Sequence, residues 1–362
     1  MSKRGYIQTK YMTISPKGGI EDNYNDDFLP VDEKITELIH SDDSCIIILQ
    51  GKPGTGKTSY IRNLINENKD VIFYWLDASM FNYIDVAFFA FAQLQDNYTV
   101  KLGSEPVART VLSRCHSHNV KVVLSFAGTW LDKRFVTLSC DAAKRNIFVE
   151  SVVKLVDDYG FDGIDNDWEY PSSKDGSQRG NLLLMRQLSN EMHAPGVNRT
   201  LSMAITPGIY EGSYTQGLDP GVFDCCDWFG SMTYDDDQPH SPYSMLETSF
   251  DFWVTRNKMP LKKFVGGIPC YGRGSRSEGY WDKSKSYRNL VVNYGADPDS
   301  DTVETDGYVT NYNGRKTVSR KVQYLLEKNA GGYFFWEADQ DMKDDRSLLR
   351  TASMTVDDYC NE

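Results

Sequence analysis

The 362-residue chain is 40% hydrophobic and 25% charged, a globular composition that excludes a disordered or low-complexity protein. Its 51 acidic side chains outnumber the 39 basic ones, for a formal net charge of -12, so it repels phosphate backbones at long range and is not expected to bind nucleic acid. No apolar run reaches the ~18–20 residues of a membrane span, which sets membrane partners aside. The opening MSKRGYIQTKYM lacks the apolar segment of a secretory leader. The seven cysteines are an odd count without metal-ligand spacing, so reduced thiols, no metal site and a cytoplasmic location are the expectations.

Residues 1–75 read as one unit. Val31, Ile35, Leu38 and Ile39 have helical spacing. The apolar run 45–49 then leads into Gly51-Lys-Pro-Gly-Thr-Gly-Lys-Thr58, which fits the phosphate-loop pattern between a strand and a helix. Backbone N–H groups around Gly51, Gly54 and Gly56 cradle phosphates in such a loop, Lys57 reaches the β/γ oxygens and Thr58 ligates Mg²⁺, so ATP with Mg²⁺ is the cofactor it implies. Residues 25–73 resemble the start of an AAA-type ATPase. The second acidic strand, the arginine finger and the lid are missing, and about 75 residues are too few to bury a full nucleotide-binding core.

From residue 76 the pattern changes. Apolar strands are expected at 84–92, 120–128, 163–169, 201–206, 228–235, 264–270 and 331–337, with helices such as 106–118, 142–159 and 181–192 between them. Strands alternating with helices argue for a parallel sheet covered by helices, and seven such strands are one short of a (β/α)₈ TIM barrel. The run 71–75 is also β-rich, but only residues 76–83 separate it from the next strand, too few for an ordinary crossover helix. Either the first barrel helix is missing, or the first strand comes from the phosphate-loop unit. The chain therefore reads as a fusion: a small N-terminal P-loop α/β fragment at 1–75, then an α/β barrel at 76–362 whose first β/α unit is incomplete. A polar segment at about 273–317 reads as a short insertion.

The sharpest feature is Phe161-Asp-Gly-Ile-Asp-Asn-Asp-Trp-Glu-Tyr-Pro171. Strand side chains alternate faces, so Asp165, Asp167 and Glu169 share one face at about 6.6 Å spacing, while Ile164, Asn166 and Trp168 face the helix layer. Three like carboxylates on a buried face are costly unless they share protons and hydrogen bonds. An unpaired Asn166 amide among helices would cost about 1–3 kcal/mol. Asp162 has the wrong parity for the cleft and reads as a tie for the start of the strand.

This segment resembles the D-G-x-D-x-D-x-E signature of family-18 glycoside hydrolases, and Trp168, Tyr170 and Pro171 resemble its chitinase branch. Further stations follow in register: Ser125 to Gly128 resembles S-x-G-G, Ser231 to Asp235 resembles the M-x-Y-D strand end, Gly267 to Arg273 resembles G-x-P-x-Y-G-R, and Trp336 matches the tryptophan that ends the last strand. Each falls at the C-terminal end of a strand, where barrel enzymes place chemistry. The resemblance implies Glu169 as general acid and base, Asp167 holding the substrate's acetamido N–H, Asp165 sharing a proton with Asp167, and Tyr234 donating to the acetamido carbonyl. It implies Trp336 as the floor of a sugar pocket, Asp235, Tyr271 and Arg273 as cleft residues, and Ser125 as support for the acids. The implied reaction is hydrolysis of β-linked N-acetylglucosamine polymers without a cofactor; chitin and its oligosaccharides are the implied partners, and protein partners stay unspecified. The short insertion favours a shallow groove and endo cleavage. A catalytically weak, lectin-like binder and an ATP-dependent P-loop protein are the alternatives; the intact Glu169 argues against the first.

Overall fold

The computed structural model describes residues 28–39, 60, 64, 81–129, 132–237 and 239–361. The chain divides into two units, Met1–Leu76 and Asp77–Glu362. In the first, the expected helix runs Leu29–Ile39, and Ile35 is buried with Tyr60 and Leu64. The Tyr60 hydroxyl donates to Asp32 at 2.6 Å. Gly51, Gly54, Gly56, Lys57 and Thr58 lie outside the described residues, as do the runs 45–49 and 71–75.

The second unit is built on one sheet. Its strands are β1 (Val86–Leu94), β2 (Val100–Lys101), β3 (Lys121–Thr129), β4 (Gly163–Glu169), β5 (Thr200–Ile205), β6 (Trp228–Ser231), β7 (Phe264–Pro269) and, after four short strands in a connecting module, β12 (Gly332–Trp336). Seven run parallel in the order β12-β7-β6-β5-β4-β3-β1, and β2 folds back antiparallel on the end of β1. All seven expected strands are present. β6 stops at Ser231 rather than at residue 235, because Thr233 and Tyr234 turn back on Ser231 and Met232 through tight backbone bonds and Asp235 sits at φ 67°. Among the described residues no ladder joins β12 to β1, so the TIM-barrel-like sheet shows seven of the eight strands of a closed barrel. Side chains approach across that interval: the Phe91 ring stacks on Trp336 at 5.6 Å. Phe88, which the register places on the face of Ser125, is 37% exposed.

Helices cover the outer face. The helix Ala142–Tyr159 starts where the Asp141 carboxylate accepts from the amides of Ala143 and Lys144, and ends at Gly160 with φ 79°. Ile164, Asn166 and Trp168 point into this layer and are fully buried. The Trp168 ring lies 5.7 Å from Phe135, and a Cβ at Gly128 would sit 2.2 Å from that same Phe135 ring, so only glycine fits there. The Asn166 amide is satisfied: it donates to Asn181 and Met185 and accepts from the Trp168 amide. Asp162 accepts from the Val122 amide at 2.7 Å and meets His116 at 2.8 Å, tying β4 to β3.

The segment expected as a short polar insertion folds as a small α+β module. β8 (Tyr271–Gly272) pairs with β9 (Lys285–Ser286), the helix Tyr287–Asn293 follows, and β10 (Thr302–Thr305) pairs with β11 (Tyr308–Asn311). Tyr280 stacks on Tyr308 at 4.2 Å, and Tyr287, Leu290 and Tyr312 form a buried core. No helix among the described residues is long and apolar enough to cross a membrane, and the six described cysteines are free thiols.

Trp168 joins strand β4 to the helix layer through this aromatic contact. Trp168→Ala is expected to cost about 3–5 kcal/mol of stability, read from the midpoint of chemical unfolding; an unchanged midpoint would show that the cluster does not hold β4 in place.

Candidate active site

The pleat of β4 projects Asp165, Asp167 and Glu169 inward, and the ladders place Ser125 of β3 and Ser202 of β5 on either side of Asp165. The Ser125 hydroxyl donates to Asp165 Oδ2 at 2.8 Å and the Ser202 hydroxyl to Oδ1 at 2.6 Å. Burial raises the Asp165 pKa against the pull of these two bonds. Each Asp165 oxygen thus carries one serine hydroxyl.

Asp167 is buried, and its Oδ1 has no hydrogen-bond partner. Burial first, then the charges of Glu169 and Asp165, push its pKa well above the usual carboxylate range. Glu169, half-buried at the end of β4, is also raised, by burial and by Asp235, with the Tyr170 hydroxyl opposing.

Asp235 is the opposite case. Burial works against its ionisation, yet the nearby His240 ring, 3.8 Å away, the hydrogen bonds from Arg273 and Tyr271 and the guanidinium charge outweigh it and hold the carboxyl at about 2. Arg273 grips it with a fork, Nε to Oδ1 at 2.6 Å and Nη2 to Oδ2 at 3.0 Å, and the Tyr271 hydroxyl donates to Oδ1 at 2.6 Å. The Arg273 guanidinium lies 4.4 Å from the Trp281 ring centre and donates to the Trp281 carbonyl.

Aromatic side chains wall the space between these acids. Met232, Tyr234 and Tyr271 are buried together, with Tyr170, Phe334 and Trp336 packed against them. Burial pushes the Tyr234 hydroxyl well above its ordinary value, with Tyr271, Asp167, Glu169 and Asp235 adding, so it stays a proton donor. A Cβ at Gly267 would meet the Ser231 carbonyl at 2.7 Å and the Tyr234 ring at 2.8 Å, which explains glycine beside that ring.

Seven of the nine residues expected for sugar chemistry stand at the C-terminal ends of β4 and β12 or in the segments after β6 and β7, while Ser125 and Asp165 sit mid-strand in β3 and β4. Ser202, His240 and Phe91 were not anticipated. Ser202 was legible from strand parity; His240 comes from an irregular loop and carried no periodic signal. No group of His, Cys, Asp and Glu among the described residues has the arrangement of a metal site.

Residues 59–341 match the profile of Glycosyl hydrolases family 18. The chain belongs to that family. The match begins inside the segment that the sequence reading assigned to the N-terminal fragment. A Class V chitinase of Arabidopsis thaliana is 28% identical over 341 residues, covering 78% of this chain and 89% of that protein. Endochitinase 1 of Metarhizium robertsii (strain ARSEF 23 / ATCC MYA-3075) is 27% identical over 289 residues, 68% of each chain. The plant class V chitinase mutant from Cycas revoluta, solved in complex with (GlcNAc)3, superposes with a TM-score of 0.66 at 25% identity over 77% of this chain and 95% of its own.

The Arg273 fork, with His240 and Tyr271, helps keep Asp235 ionised against burial. In Arg273→Ala the Asp235 carboxyl is expected to titrate well above its value of about 2, followed by carboxyl carbon chemical shifts in a pH titration. An unmoved titration would assign the stabilisation to His240 and Tyr271 instead.

Proposed function

We propose that this glycosidase hydrolyses β-1,4-linked N-acetylglucosamine polymers, chitin or its oligosaccharides, with retention of configuration and with the substrate's own 2-acetamido oxygen as nucleophile. The observation that carries the reading is the orphaned Asp167 Oδ1, buried between Asp165 and Glu169. A buried acceptor without a donor is costly, and a substrate amide N–H is the donor that fits it. The likeness to relatives named chitinase, and to a class V chitinase solved with (GlcNAc)3, supports the same sugar.

In this reaction Trp336 stacks under the apolar face of the sugar whose bond is broken, and Tyr234 donates to its acetamido carbonyl. The acetamido oxygen forms a bond to C1 as the C1–O bond to the leaving sugar breaks, and Glu169 gives its proton to the leaving oxygen. Asp167 holds the N–H of the oxazolinium intermediate, and Asp165, fixed by Ser125 and Ser202, supports Asp167. Glu169 then takes a proton from water, whose oxygen attacks C1 and reopens the ring. Asp235, Tyr271 and Arg273 line the cleft beside the leaving group. The similarity to Endochitinase 1 favours cleavage within the polymer. A lectin-like role would leave Glu169, whose pKa burial raises, without use.

Turnover of a fluorogenic chitobioside tests this reading. Glu169→Gln is expected to lower it by about 10²–10⁴-fold while oligosaccharide binding by calorimetry persists, and the cellobioside counterpart is not cleaved. A variant at wild-type rate would remove Glu169 from the mechanism, and efficient cellobioside cleavage would overturn the assignment of Asp167.

We propose further that the loop Gly51–Thr58 is a phosphate cradle left from a partial P-loop unit. The motif and the apolar run before it in the sequence support this reading. Hydrolysis of ATP needs Mg²⁺ ligands and charge stabilisation beyond the loop, so the intact chain is expected to release no phosphate from ATP and Mg²⁺. Phosphate release that disappears in Lys57→Ala, or chitobioside cleavage that responds to ATP, would show a working nucleotide site.

A further inference from the structure

The turn after β6 rests on a buried polar cluster that the proposed chemistry does not use. Lys321, on the helix Arg315–Glu327, is 0% exposed. Its Nζ donates to the Ser241 carbonyl at 2.9 Å, the Ser241 hydroxyl at 2.7 Å and Asn313 Oδ1 at 2.8 Å. None of these acceptors is a carboxylate. The Asn313 amide donates back to the Ser241 carbonyl at 2.9 Å, which fixes its oxygen toward Lys321. The Ser241 hydroxyl in turn donates to the Thr233 carbonyl at 2.6 Å, with Asn313 Oδ1 farther off at 3.3 Å. Thr233 directly precedes Tyr234 and Asp235, and its own hydroxyl donates to the Gly267 carbonyl at 2.6 Å.

Counting protons shows what this cluster requires. Nζ faces three acceptors, and an ammonium has three N–H donors, one for each. A neutral amine has two donors and a lone pair. Among its three partners only the Ser241 hydroxyl carries a proton it could turn toward that lone pair, and to do so it must let go of Thr233.

We propose that Lys321 is a positioning residue for the hydrolysis: its ammonium keeps the Ser241 hydroxyl on the Thr233 carbonyl, thereby fixing Tyr234 and Asp235 opposite the carboxylate row, and loss of its proton releases that carbonyl. The inference deepens the proposed function and rests on it. Burial lowers the Lys321 ammonium to about 7, with the Asp301 charge opposing. Asp301 itself is engaged by the Gly314 amide and the Thr317 hydroxyl. On the other side of the turn stand His240, whose Nε2 meets the Tyr271 carbonyl at 3.2 Å and whose Nδ1 lies 3.8 Å from Asp235 Oδ1, and beyond it Arg273. Burial lowers the His240 pKa against the pull of Asp235.

The test compares pH profiles of chitobioside cleavage for wild type, Ser241→Ala and Lys321→Met. Deprotonation of Glu169 imposes a one-proton alkaline descent on all three. Wild type is expected to show an additional drop in kcat of about tenfold on that limb, since small misplacements of catalytic groups cost up to about 10²-fold. Ser241→Ala loses the Thr233 contact at every pH. It is therefore expected to start about tenfold lower in kcat, with KM within about twofold, and to follow the one-proton descent alone. Lys321→Met, which removes the titrating group, is expected to lack the additional drop as well, so either variant carries the test if the other fails to fold. Wild-type protein inactive at every pH would overturn the proposed function and this inference with it. Active wild type whose kcat and alkaline limb are matched by both variants would overturn this inference alone.

Discussion

The site depends on one constraint: three carboxyls projecting from the same face of a buried strand. Strand geometry leaves about 6.6 Å between successive side chains on a face, so Asp165, Asp167 and Glu169 cannot move apart. The fold resolves the conflict unevenly along the row. Asp165, flanked by strands on both sides, receives a hydroxyl from each. Asp167 receives nothing at Oδ1. Glu169 sits at the rim beside the Tyr170 hydroxyl. All three are pushed toward their protonated forms, while Asp235, in the turn after β6, is held ionised by His240, Arg273 and Tyr271. Environments that drive similar groups apart in pKa are the ordinary way a single cleft obtains an acid and an anion at the same pH.

That division is maintained by parts of the chain distant in sequence. Arg273 pairs with Asn311 through its backbone and with Asp235 through its side chain. The α+β module and the ionised carboxylate therefore share one anchor. The module's exit carries Asn313, and the helix after it carries Lys321, both bonded to Ser241. The module is thus part of the frame that fixes the turn after β6. On the opposite side of the cleft Trp336 is backed by Phe91, which reaches across the interval between β12 and β1 where no ladder is formed among the described residues. Ring stacking links β1 to β12 there.

Much of this was readable from residue order. The alternation in Gly163–Glu169 put the acids on one face and Asn166 and Trp168 on the other, and the helix Ala142–Tyr159 was bounded by an Asp cap and a Gly stop that any sequence reading can find. Asp162 was read correctly as a tie because its parity excluded it from the cleft. Ser202 obeys the same parity and could have been found by asking which neighbours can donate to a buried Asp165. The module was less legible: strands of two to four residues, such as β8 and β10, are too short for periodicity to register. His240 and Lys321 were illegible for a different reason. Their roles depend on backbone carbonyls brought near by the turn after β6, and carbonyl positions leave no mark in residue types.

The environment of Asp167 also bears on why the proposed nucleophile comes from the substrate. A retaining enzyme of the two-carboxylate kind needs an ionised carboxylate about 5–5.5 Å from its acid. Here the carboxyl that strand spacing sets beside Glu169 is Asp167, and burial and its two neighbours oppose its ionisation. A protonated carboxyl is a poor nucleophile at carbon, but its carbonyl oxygen is a good acceptor for an N–H. Asp235, which is ionised, has its oxygens occupied by Arg273 and Tyr271 and cannot attack without giving them up. With the ionisation of Asp167 opposed and Asp235 engaged, the acetamido oxygen is the nucleophile that matches the proposed reaction, and the same burial that disfavours attack by Asp167 suits it to hold the N–H of the group that does.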